Sequence, residues 1–182
     1  MKSVLKELFS RALAPVLDKT IRKFNPKNER KPLQTDRRTD SMEFKIRSFE
    51  ESDIDFLVEI LTLNNQYNYP VIEGPHAMKR VASCEAAVFL VAETENPCGF
   101  IKAIYDGSRA LIHLLSVHPH CQRQGIGTAL VNAACKELSH RGAPSVSATV
   151  TEQSVRFWEK QGFKRMPVFL VLKWTEPTKN IH

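Results

Sequence analysis

The chain has 182 residues, 42% hydrophobic and 25% charged, proportions of a folded globular protein rather than a disordered or fibrous one. That length holds one well-buried domain with an appendage, and no apolar run reaches the ~18 residues needed to span a bilayer. The formal net charge of +6 resides in residues 1–40, with 11 Lys and Arg against 5 Asp and Glu, while residues 41–182 carry 15 of each sign. A nucleic-acid interface spread over the domain is thereby excluded.

Residues 3–24 read as an amphipathic helix, with Val4, Leu5, Leu8, Leu13 and Leu17 recurring at helical steps and Pro15 dividing the pattern. Residues 25–41, with Pro26, Pro32 and many charges, read as a linker. The organisation expected is therefore a basic arm and linker over 1–41 and a folded domain over 42–176. The arm is suited to reversible docking on an anionic membrane face, with Leu5, Leu8, Leu13 and Leu17 buried.

From residue 43 strands and helices alternate. Phe44 and Ile46 predict a half-buried strand. Ser52 is the expected cap of a helix carrying Phe56, Leu57, Ile60 and Leu61. Pro75 opens a second helix through Met78 and Val81. Ala87–Ala92 and Phe100–Tyr105 form a hairpin about the turn near Asn96–Gly99, and Ala110–Val117 is the next strand. A helix follows from about Gly125 to Ser139, closed by Gly142. Val146, Ala148 and Val150 alternate as a fifth strand, Thr151 begins a short helix ending at Gly162, and Val168–Leu172 is a final apolar strand. This order defines an α/β fold, a mixed sheet flanked by helices.

The four cysteines, Cys84, Cys98, Cys121 and Cys135, have neither a CxxC pair nor a metal-ligand spacing, so reduced thiols are expected. His118 and His120 flank a proline without a carboxylate or thiol to complete a metal set, and no metal is expected.

The stretch that carries chemistry runs from Val117 through His118-Pro119-His120-Cys121 into Gln122-Arg123-Gln124-Gly125-Ile126-Gly127-Thr128. A helix start presents free N–H groups and the positive end of the macrodipole. Two glycines clear the approach for a phosphate, Arg123 adds charge, and Thr128 adds a hydroxyl. Two readings follow from these residues: a pyrophosphate cradle, or glycines that allow close helix–sheet packing. A Walker loop is excluded because no Lys follows the last glycine, and a dinucleotide fingerprint lacks its third glycine.

Residues 122–127 resemble the Gln/Arg-x-x-Gly-x-Gly/Ala motif of the GCN5-related N-acetyltransferases. Phe157-Trp158-Glu159-Lys160-Gln161-Gly162-Phe163 is similar to that family's late helix, and the element order matches over residues 43–174. The resemblance implies an acetyl-CoA-dependent N-acetyltransferase acting by direct transfer to a primary amine, on a small molecule or a peptide. A catalytically weakened CoA-binding module of the same fold is the alternative. It implies pyrophosphate contacts from Gln122, Arg123, Gln124, Gly125, Ile126, Gly127 and Thr128, and main-chain contacts to pantetheine from Leu115, Ser116 and Val117. Trp158 stands where many members carry a Tyr general acid, and its indole is not a usable acid; it is expected on the cofactor side. His113 is the candidate base, grouped by strand alternation with Leu111, Leu115 and Val117. A cytoplasmic location is expected, with an organelle or membrane surface as the alternative through the arm. Oligomeric state and acceptor identity are left open.

Overall fold

The computed structural model describes residues 43–173; the expected arm and linker over 1–41 lie outside them. Five strands form one sheet in chain order: β1 (Lys45–Ser48), β2 (Ala87–Glu93), β3 (Pro97–Tyr105), β4 (Ala110–Val117) and β5 (Val146–Ala148). The first four are antiparallel to their neighbours, and β5 runs parallel to β4.

Between β1 and β2 the chain makes a 3-10 turn (Glu51–Asp53), then α1 (Ile54–Leu63), the four-residue α2 (Pro70–Glu73) and α3 (Pro75–Ala82). The expected Ser52 cap is corrected. Glu50 and Asp53 cap each other reciprocally at the start of the 3-10 turn, and the helix proper begins at Ile54. Pro70 and Pro75 each sit in a first helical turn, where a missing N–H costs nothing. The longest helix, α4 (Ile126–His140), fills the crossover between β4 and β5, and α5 (Val155–Lys160) follows β5.

Helices cover both faces of the sheet. On one face Leu57, Ile60, Leu61 and Met78 pack against Phe89, Val91 and Phe100. On the other, Ile126, Leu130, Ala134 and Leu138 of α4 pack against Val88, Ile101, Ala103 and Ile112. Strand alternation sends successive residues of β2 and β3 to these two cores, which is why both strands read as nearly continuous apolar runs.

The expected strand at Val168–Leu172 does not form: these residues belong to no strand and are 69–94% exposed. Their β-branched and aromatic composition is a preference that needs a neighbouring ladder. On this side of the sheet the β4–β5 pairing already ends at Ala148.

Candidate active site

The ladder between β3 and β4 carries an irregularity that sets the geometry of the site. Lys102 pairs with Leu114 and Ala103 pairs with Ile112, so His113 has no opposite residue and β4 bulges there. A bulge exchanges the faces of all residues beyond it. Ile112, Leu115 and Val117 therefore belong to the α4 side. Leu114 packs on the α1 side, Ser116 bonds to side chains from the end of α1, and His113 lines a cavity there. The expected grouping of His113 with Leu115 and Val117 is corrected, because plain alternation does not anticipate an inserted residue.

At the same place β4 and β5 part. Their last paired residues are Ile112 and Ala148, followed by one bond from the Thr149 N–H to the Ile112 carbonyl. From His113 to Val117 the β4 edge extends about 13 Å, four steps at ~3.3 Å, towards the start of α4.

That start presents donors. The first helical bond runs from the Ala129 N–H to the Gly125 carbonyl. Among the described residues the N–H groups of Gln124, Gly125, Ile126, Gly127 and Thr128 have no main-chain acceptor, as the opening turn of a helix dictates. Gly125 holds φ +86° and Arg123 φ +66°. These left-handed residues curl the turn back on itself. Arg123 and Gln124 are exposed.

The two glycines differ in role. A side chain at Gly125 would meet open space, so its glycine serves the positive φ. A Cβ at Gly127 would lie 3.4 Å from the Phe157 ring and 3.8 Å from Val117. Both distances are ordinary van der Waals contacts, so a methyl group would fit at Gly127, and only Gly125 is required by its backbone conformation. The Thr128 hydroxyl accepts a bond from Gln161 Nε2 at 3.2 Å, which ties α4 to the end of α5. Trp158 is 5% exposed and lies edge-on to Phe157 and Phe163, with ring centroids 5.4 and 5.1 Å away. It is a core residue, and the aromatic that reaches the turn is Phe157.

A polar clamp fixes the end of β4. Asn64 Nδ2 donates to Ser116 Oγ (2.8 Å) and to the Val117 carbonyl (2.9 Å). The Ser116 hydroxyl donates to Gln66 Oε1 at 2.6 Å, and Gln122 Nε2 donates to Asn64 Oδ1 and to the Val117 carbonyl. Gln122 thus positions the turn through its side chain. At the other end of the turn His118 Nδ1 accepts the His120 N–H at 3.3 Å, so His118 shapes the loop.

On the α1–α3 side of the sheet, His113 lines a cavity of about 220 Å³ together with Glu73 and Lys102. Glu73 Oε2 and Lys102 Nζ form an ion pair. Partial burial and the Lys102 charge hold the His113 pKa below the usual imidazole value, and Glu73 opposes them weakly. His113 is therefore a neutral acceptor at pH 7. Sequence reasoning missed Glu73 and Lys102. The available signal was a lysine in the middle of an apolar strand.

The fourth and fifth strands of this mixed sheet thus diverge beside a helix N-terminus, with His113 at the divergence. The Acetyltransferase (GNAT) family model matches residues 54–163, and the chain belongs to that family of N-acetyltransferases. It is 28% identical over 138 residues to a Trypanosoma brucei brucei protein named glucosamine 6-phosphate N-acetyltransferase, covering 69% of this chain and 92% of that one. A transcriptional regulator from Bacillus halodurans C-125 superposes with TM-score 0.63 at 25% identity, covering 72% of this chain and all of that one. A PaiA N-acetyltransferase from Thermoplasma acidophilum, solved in complex with coenzyme A, shares the fold with TM-score 0.62 at 20% identity, over 70% of this chain and 94% of that one.

Proposed function

We propose that the protein transfers the acetyl group of acetyl-CoA directly to a primary amine on a small molecule. The observation that carries this reading is the set of N–H groups at residues 124–128 without main-chain acceptors, directly beyond the open edge of β4. Those donors and the α4 dipole suit a pyrophosphate, with Arg123 adding a formal charge. Leu115, Ser116 and Val117 lead from that turn to the bulge, the course a pantetheine arm would follow. The acetyl thioester supplies an activated carbonyl when bound. The neutral imidazole of His113 takes the amine proton, directly or through water, so that the nitrogen attacks with its lone pair. Trp158, buried and not acidic, leaves the departing thiolate to be protonated by solvent. The relative named for amino-sugar acetylation supports a small-molecule acceptor.

Calorimetric titration with CoA, followed by a thiol-release screen of amines with acetyl-CoA, tests the reading. The wild-type protein is expected to bind CoA. Gly125→Glu, which sets an anion among the donors, is expected to abolish binding and keep the fold. Wild-type protein that shows no CoA isotherm at high micromolar concentration overturns it.

A further inference from the structure

In β3 a charge stands where the strand pattern calls for an apolar residue. Lys102 is 5% exposed, in a strand buried throughout from Cys98 to Ala103. A buried ammonium costs several kcal/mol unless it is paired. Glu73, the last residue of α2, pairs it through Oε2. The pair does not sit in solid packing: it faces the cavity of about 220 Å³ that His113 also lines. Lys102 takes one carboxylate oxygen, and Oε1 has no donor among the described residues, leaving an acceptor on a side chain that is 19% exposed.

The remaining lining comes chiefly from Ile72, Val81, Ala87, Ala103 and Ile104. Such walls leave hydroxyl groups of a sugar without partners, at a cost of roughly 1–3 kcal/mol each. The volume equals about seven waters at ~30 Å³ each, which suits a compact acceptor. One carboxylate and one ammonium line the cavity, so a second ammonium on the acceptor finds no counter-charge.

We propose that Glu73 binds the acceptor ammonium through Oε1, that Lys102 is the positioning residue holding that carboxylate, and that the acceptors are compact primary monoamines with an apolar body. This rests on the acetyl-transfer reading above. It places the acceptor nitrogen on the same side of the sheet as His113, near the point where β4 leaves β5.

The test is calorimetric titration of hexylamine, glucosamine 6-phosphate and spermidine into the full-length protein, with and without CoA. The wild-type protein is expected to bind hexylamine and to bind the other two at least tenfold more weakly. Glu73→Gln is expected to weaken hexylamine at least tenfold with the CoA isotherm unchanged. Because that change strands the Lys102 charge, Glu73→Gln/Lys102→Met, which removes the whole pair, is the second variant and carries the same expected loss. Lys102→Met alone is expected to raise the amine KM several-fold at nearly constant kcat, with partial rescue by Lys102→Arg. Wild type that does not bind hexylamine, equal hexylamine binding by the wild type and the double variant, or tighter binding of either comparison amine overturns the assignment. Loss of the CoA isotherm in the wild type overturns the acetyl-transfer reading instead, and the hexylamine isotherms then judge Glu73 on their own.

Discussion

His113 reaches the cavity because β4 holds one residue more than its partner at that point. Its lowered pKa comes first from burial and then from the Lys102 charge, with Glu73 acting in the opposite sense. Cys84 is the other titratable side chain lining that cavity. A base with a lowered pKa keeps its neutral form to lower pH, so the acidic limb of the kcat profile is expected below the ordinary imidazole value of about 6.5. Lys102→Met should move that limb upward, and Glu73→Gln should move it further down. His113→Ala should reduce kcat by roughly 10²-fold or more and abolish the limb; a pH–rate series on the four proteins checks all of this. Gly74 has a different constraint. A Cβ there would lie 2.4 Å from the Pro70 carbonyl oxygen, within the joint between α2 and α3. Gly74→Ala should therefore displace α2 and carry Glu73 with it, raising the amine KM while CoA affinity stays constant. Steady-state kinetics beside a CoA titration distinguishes this from general unfolding.

Among the elements, β4 shows best what a sequence can and cannot disclose. Its bounds, Ala110–Val117, follow from a dense apolar run between a turn and a proline. The bulge does not, because inserting one residue exchanges faces without changing composition. The start of α4 was legible from Gly125 and Gly127, yet only the backbone shows that Gly125 alone needs a left-handed conformation. Glu73 was invisible for another reason: α2 is four residues long, too short for a periodic signal, and its partner is 29 residues away. Val168–Leu172 fails in the opposite direction, since strand-forming residues without a ladder make no strand. The clamp on β4 yields an element-scale prediction. Ser116 is buried and bridges Asn64 and Gln66. Ser116→Ala leaves both amides short of a partner, a cost of about 1–3 kcal/mol. It should also loosen the Val117 end of β4, so a lower urea midpoint and a weaker CoA isotherm are expected together.

At the scale of the whole described domain, the edge strand β1 is tied to both of its neighbours by one guanidinium. Arg47 donates to Asp53 Oδ1 and Oδ2 at 2.7 and 2.8 Å, and to Glu93 Oε2 at 2.8 Å, joining β1 to the turn before α1 and to β2. The Glu50 N–H also donates to Asp53 at 2.8 Å, so the carboxylate that receives Arg47 completes the helix cap. Arg47 and then Lys45 hold the Glu93 carboxyl down to about 2, from an ordinary value of 4.5. A carboxylate with a depressed folded-state pKa contributes its full stabilisation above its unfolded value and loses it as pH falls through the folded value. The Glu93 contribution should therefore be level from pH 7 to about 5 and should fall as pH drops from ~4.5 towards ~2. His113, whose folded pKa is lowered, costs stability as pH falls below about 6.5. Arg47→Met removes the centre of this arrangement and leaves Asp53, which is buried, without its cation. Breaking a buried pair from one side costs roughly 3–5 kcal/mol. The Lys45–Glu93 pair at 3.1 Å has its lysine largely in solvent and compensates little. Urea unfolding across pH 2–7 is the measurement. The variant is expected to be destabilised at pH 7 and to show a shallower acid limb than the wild type, because the group that held Glu93 ionised is gone. A variant curve parallel to the wild-type curve would assign the acid limb to other carboxylates.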